Sequence, residues 1–185
     1  TKVLVLVAGM GLWADPDEGQ YKYLKRHGFQ LELCGFKSPE EPGFDMAAAI
    51  GEVEAKHAAV QPHAIVCASK GGAYMLELWR RGYKTPCIMI NVHPACHKLP
   101  KDVPIVLVHG ANDTTFKRDR GLSKGAPPPG SLEALVQTGS RDKCFLYFSG
   151  NSGFILDRDG KPTPRRTRNG DGHNRKETLE RYHCA

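Results

Sequence analysis

The sequence predicts an α/β domain: a three-layer sandwich with a mostly parallel sheet of about six or seven strands and helices on both faces. Three observations predict it. Apolar runs of strand length alternate with segments of helical periodicity along the chain. The strand-like runs are near-continuously apolar, as a sheet buried on both sides requires. Three chemistry-bearing residues, Ser69, Asp113 and His173, each follow such a run. In a parallel sheet they would converge on the carboxyl edge, where open α/β sheets bind their ligands.

Taken in order, Val3–Val7 reads as the first strand. Tyr21–His27 reads as a helix closed by Gly28, since glycine readily takes the left-handed conformation that ends helices. Leu31–Gly35 is the second strand. Asp45–Val60 carries alanines and apolar residues at helical spacing, with Asp45 as a good N-cap. Ala64–Ala68 is a strand. Gly71–Arg81 is a helix with Tyr74, Leu78 and Arg81 on one face, stopped by Gly82. Cys87–Val92 and Ile105–Val108 are strands, Ser131–Thr138 a short helix with a serine N-cap, and Lys143–Phe148 a strand. Asp159-Gly160, between Phe154–Leu156 and Lys161–Thr163, signals a hairpin. Asn174–Tyr182 reads as a terminal helix. Ser38–Phe44 and Thr114–Gly130 are irregular; the latter contains Ala126-Pro127-Pro128-Pro129-Gly130, which reads as extended. The 185 residues, 1–185, are expected to form a single domain.

Composition narrows the function classes. A hydrophobic fraction of 40% and a charged fraction of 25% are those of a soluble globular protein. No apolar run approaches the roughly 20 residues that span a bilayer, so no transmembrane segment is expected. The chain starts at Thr1, directly before a strand, either as a trimmed piece or as a mature form that has lost a leader. The net charge of +6 is dispersed, and no aromatic residues interleave with the basic ones as a stacking platform requires, so nucleic acid is not an expected partner. Of the six cysteines, Cys34, Cys67, Cys87 and Cys144 lie inside strand-like runs. They are expected to be reduced core residues, which points to a reducing compartment, the cytoplasm or an organelle interior. Cys96 and Cys184 lie outside the strands and could be exposed. His93 and His97 flank Cys96, but a zinc site needs about four ligands and no second cluster appears, so no metal is expected.

Cys67-Ala68-Ser69-Lys70-Gly71 has the pattern small-x-nucleophile-x-small. A sharp strand-to-helix turn strains the serine backbone and exposes its hydroxyl. The residues two positions away must be small because strand and helix pass close together. The helix that follows offers the positive end of its dipole to a developing oxyanion. The competing reading makes Ser69 an ordinary N-cap. In His109-Gly110-Ala111-Asn112-Asp113 a carboxylate stands just past a strand, where it can orient an imidazole; the competing reading is a turn aspartate. In Gly170-Asp171-Gly172-His173 a histidine sits on a glycine-rich loop, suited to act as general base. Asp171 is the weaker rival for the acid. His27, His57, His63 and His183 read as solvated, while His109, at a strand end, is placed to support the site. Val7-Ala8-Gly9-Met10-Gly11 ends the first strand and can present a backbone N–H beside that of Lys70, making a two-donor oxyanion hole. A dinucleotide fingerprint would need a third glycine and an acidic residue ending the second strand, and both are missing.

The order nucleophile, acid, base resembles the α/β-hydrolase superfamily, in particular its short dienelactone-hydrolase- or small-carboxylesterase-like members. The resemblance covers essentially the whole chain. It implies Ser69 as nucleophile, Asp113 as acid and His173 as base, with the oxyanion hole formed by the N–H of Lys70 and that of Met10 or Gly11. The usual His-Gly before the oxyanion loop is Ala8-Gly9 here, Cys67 stands where the motif has its first glycine, and the first strands of the full fold are missing. The short connection from Val92 to Ile105, where many relatives insert a lid, implies an open site. The implied reaction is hydrolysis of a small-molecule ester or thioester without cofactor or metal; nearby Lys117, Arg118, Arg165 and Arg166 would favour acidic substrates. The alternative from another class is a hydrolase-fold binding or assembly subunit with a protein partner and little or no activity.

Overall fold

The computed structural model of the protein describes residues 1–7, 19–35, 42–110, 126, 131–139, 144–148, 152–156 and 162–166. The elements follow in the order β1 (Lys2–Val7), α1 (Gly19–Arg26), β2 (Gln30–Gly35), α2 (Met46–Val60), β3 (Ala64–Ala68), α3 (Gly71–Arg80), β4 (Cys87–Ile90), β5 (Ile105–Gly110), α4 (Leu132–Thr138), β6 (Cys144–Phe148), β7 (Ser152–Leu156) and β8 (Pro162–Arg166). β1 to β6 form one sheet in the order β2-β1-β3-β4-β5-β6, and every neighbouring pair is parallel. β7 and β8 pair antiparallel as a separate hairpin, as the Asp159-Gly160 signal predicts, and β7 lies against α1.

Side chains alternate across the sheet, and the two faces bury different helices. Leu4 and Leu6 of β1, Ile65 and Cys67 of β3, Cys87 and Met89 of β4 and Ile105 and Leu107 of β5 face one way. There they pack with Ile50 and Val53 of α2, Tyr74, Met75 and Leu78 of α3 and Leu132 and Leu135 of α4. Val3, Val5, Val66, Ala68, Ile90 and Val108 face the other way, with Tyr21 of α1. The chain is thus an α/β arrangement, a parallel sheet flanked by helices. Fully burying one such aliphatic side chain stabilises the fold by roughly 1.5–3 kcal/mol, so the two clusters dominate over any single polar contact. The ion pairs are of the weaker kind: Lys56–Glu32 at 2.9 Å and Arg81–Glu54 at 2.8 Å are both partly exposed, and such pairs contribute about 0–1 kcal/mol.

The starts of α2 and α4 agree with their capping chemistry. Asp45 is extended, at φ −127°, and its carboxylate accepts the N–H of Ala47 at 2.8 Å. Ser131 Oγ accepts the N–H of Ala134 at 3.1 Å at the start of α4. Three expectations need correction. β4 ends at Ile90, two residues short of Val92, because Asn91 turns left-handed at φ 44°. Arg81 does not share the buried face of Tyr74 and Leu78; its guanidinium reaches out to Glu54 and Glu77. Cys96 is fully buried, because the turn after β4 folds it back into the core beside Met89, Val92 and Leu99. Cys34, Cys67, Cys87 and Cys96 are all free buried thiols. Burial holds the Cys67 thiol well above its ordinary pKa, with the neighbouring Cys87 and Cys96 adding to the effect. Burial likewise pushes Cys96 up to about 12. Burial therefore favours the protonated, less reactive form of Cys67 and Cys96. Among the described residues no helix is long and apolar enough to cross a membrane, and no cluster of His, Cys, Asp and Glu is arranged to hold a metal. The predicted terminal helix Asn174–Tyr182 and the loop Thr114–Gly130, except for Ala126, lie outside the described residues.

Candidate functional site

Strand order creates a switch point between β1 and β3. From β1 the chain winds outward through α1 to β2, then α2 carries it back across the sheet to β3, on the other side of β1. Crossovers of one hand therefore put α1 and α2 on opposite faces, and the carboxyl ends of β1 and β3 are the edge where open α/β sheets bind their ligands. Ser69 directly follows β3 at that edge. Its backbone is left-handed, at φ 48°, a conformation that non-glycine residues seldom adopt. The peptide is fixed on both sides: Ser69 N–H donates to Ile90 O at 3.0 Å, and Ser69 O accepts from the N–H of Gly72 at 3.1 Å and of His93 at 3.0 Å.

The helix behind it begins at Gly71, with Lys70 in the N-cap position at φ −60° and ψ −19°. Lys70 is already helical and the Ser69 carbonyl accepts the N–H of Gly72, so Ser69 stands at the entrance to the helix, a place that suits an N-cap and an exposed nucleophile alike. The demand for small neighbours has a measurable cause. A Cβ on Gly71 would lie 2.9 Å from Cys67 Cβ, closer than real Cβ atoms approach. A Cβ on Gly72 would lie 2.5 Å from Val92 Cγ2 and 3.1 Å from Cys96 Cβ. Cys67 is admitted in place of the motif's first glycine because Gly71 leaves it room.

Left-handed serine is strained in a way that glycine is not, by about 1 kcal/mol. Ser69→Gly is therefore expected to be more stable than Ser69→Ala by about 1 kcal/mol, although both variants lack the hydroxyl. Urea denaturation of the two variants side by side checks this. Equal midpoints would mean that the turn is relaxed.

Compared with family models, with curated proteins and with solved structures, the chain matches none. The site therefore stands on its own geometry. Of the residues singled out in the sequence, Ser69 and Lys70 are at the switch point, both half-buried. Met10, Gly11, Asp113, Asp171 and His173 lie outside the described residues; in the chain, Asp113 follows the end of β5 by three positions and His173 follows the β7–β8 hairpin. The described histidines sort by edge. His63 Nδ1 accepts the N–H of Lys2 at the start of β1. His57 Nε2 is 2.7 Å from Thr85 Oγ1, ahead of β4, so both belong to the amino edge, away from Ser69. His57 is also not simply solvated: burial lowers its pKa. His109, near the carboxyl end of β5, is buried and faces the α3 side with Ile105 and Leu107.

Two residues at this edge escaped the sequence reading. Asn91, fully buried and left-handed, ends β4 directly beside Ser69. His93 bonds to Ser69 through its backbone and begins a turn in which Cys96 N–H donates to His93 O at 2.9 Å. A signal was present: Asn91 interrupts an apolar run, and His93-Pro94 comes one residue further on, both turn chemistry.

Proposed function

We propose that the protein is a serine hydrolase that cleaves a carboxylic ester or thioester through an acyl-enzyme. Ser69 attacks the carbonyl carbon while His173 takes the hydroxyl proton. His173 then protonates the leaving group, and water, activated by the same imidazole, releases the acid. Asp113 orients the imidazole and stabilises its charged form. The N–H of Lys70, at the positive end of α3, and that of Met10 or Gly11 receive the oxyanion. No cofactor takes part in this scheme.

The observation that carries the reading is the left-handed Ser69, held between β3 and α3 at the switch point with glycine-only space behind it. Strand spacing supports the partner assignment. β4 alone separates β3 from β5, so residues following β3 and β5 start roughly 10 Å apart. One imidazole and two hydrogen bonds span roughly 8 Å, which suits a base entering between nucleophile and acid. The connection 91–104 between β4 and β5 contains no helix, in keeping with an open site. Dinucleotide binding at the same switch point is less favoured: β2 ends at Cys34-Gly35, and its acidic residue, Glu32, is paired with Lys56.

The test is a fluorophosphonate probe followed by peptide mapping. Covalent label on Ser69 is the expected result. Absence of label on intact protein would favour the assembly-subunit alternative. A second expected outcome separates the two candidate acids. Asp113→Asn should lower kcat by on the order of 10⁴, since the amide favours the wrong imidazole tautomer, whereas Asp171→Asn should change it less than about tenfold. Steady-state kinetics on p-nitrophenyl acetate checks this, and the reverse ranking would make Asp171 the acid.

A further inference from the structure

We propose that His93 is a positioning residue for Ser69: its unprotonated Nδ1 closes the turn that holds the serine's left-handed backbone. The inference rests on the serine-hydrolase reading and adds a residue to its machinery. It starts from an irregularity in the ladder between β3 and β4. Ala68 pairs with Ile90, so Ser69 faces Asn91. In a regular parallel ladder the Ser69 carbonyl would accept the N–H one residue beyond that partner, at position 92. It accepts instead the N–H of His93, at 3.0 Å. One extra residue is inserted, and Asn91 absorbs it at φ 44°, facing Ser69 at φ 48°. Such bulges re-aim the chain beside functional sites.

A strained backbone persists only where its surroundings over-determine it. His93 is fixed in turn by its own side chain, because Ala95 N–H donates to His93 Nδ1 at 3.1 Å. Pro94 presets the backbone at the next position, Cys96 N–H closes the turn onto His93 O at 2.9 Å, and Cys96 is buried where a Cβ on Gly72 would meet it. An imidazole nitrogen that accepts an N–H carries a lone pair, so in the neutral ring the proton sits on Nε2. The side chain acts here as an asparagine does in an Asx-turn, accepting the N–H two residues on. Asparagine should therefore replace it, and alanine should not.

His93→Ala should lower kcat for p-nitrophenyl acetate by roughly tenfold to a hundredfold with KM unchanged, since a misplaced nucleophile loses transition-state contact. The rate of fluorophosphonate labelling at Ser69 should fall with it, and His93→Asn should recover both to within about threefold of wild type. Two measurements do not depend on activity. The ring ¹⁵N shifts of His93 in the wild-type protein at neutral pH should report the Nε2–H tautomer. The His93 amide should be protected from hydrogen exchange in the wild type and in His93→Asn, and exposed in His93→Ala. A proton on Nδ1, or an asparagine variant no better than alanine, would overturn the proposal. If wild-type Ser69 takes no label at all, the hydrolase reading and the catalytic role of His93 fall together, while the tautomer and the amide protection still decide whether the turn holds Ser69.

Discussion

Ser69→Ala is expected to leave the fold intact and, on the proposed mechanism, to reduce kcat on short p-nitrophenyl esters by roughly 10⁴–10⁶-fold, the cost of losing a nucleophile whose partners act as a unit with it. The substitution removes one oxygen and keeps the left-handed backbone, so no packing changes in the core. The Ile90, Gly72 and His93 backbone bonds to residue 69 all survive, because each uses the main chain. Loss of turnover with an unchanged melting temperature would therefore report chemistry rather than unfolding. Retention of more than about a hundredth of the wild-type kcat would remove Ser69 from the role of nucleophile.

The largest stability effect is expected at Gly72. A methyl group there would sit 2.5 Å from Val92 Cγ2, 3.1 Å from Cys96 Cβ and 3.5 Å from Met89 Cε. All three residues are buried, and the turn after β4 is bonded to β3 through Ser69 and His93, so neither side of the contact yields easily. Overpacking of this kind costs about 1–3 kcal/mol, and the closeness of the Val92 contact puts Gly72→Ala at the upper end. For a chain of this length that corresponds to a fall in Tm of roughly 6–12 °C. Adding Val92→Ala to Gly72→Ala removes the clashing methyl. The double variant should be less destabilised than the sum of the two single ones, because the residues share one space. Strict additivity in a thermal denaturation cycle would mean that the helix had simply moved away.

Strands and helices were legible where the local signal matched the final environment. The apolar runs at Val3, Ile65 and Ile105 became central parallel strands, and Asp45 and Ser131 capped the helices they precede. The tight strand-to-helix turn at Ser69 was legible because the small residues around it reflect a contact between residues only four apart. The end of β4 was not. Val92 resumes the apolar run after Asn91, so a turn signal and a strand continuation overlap there, and pairing with β3 and β5 decides for a turn at Asn91. Cys96 was misread for the same reason: its burial comes from a tertiary fold-back onto α3, which no spacing in its own segment encodes. His93 was weighed in the sequence only as a metal ligand, while its structural bonds include those to Ser69, Ala95 and Cys96.

The 2.9 Å separation between Cys67 Cβ and the position a Cβ would take on Gly71 also has an evolutionary consequence. The two sites compete for one volume, so a side chain at one forbids a side chain at the other. A lineage that now carries Cys67 with Gly71 can reach glycine at 67 with alanine at 71 only through an intermediate with glycine at both. The reverse order passes through a clashing pair. That intermediate adds a third glycine to the segment 67–72, with a cost of about 0.5–1 kcal/mol. The two positions are thus mutationally linked, and the permitted path between their alternative states runs in one order only.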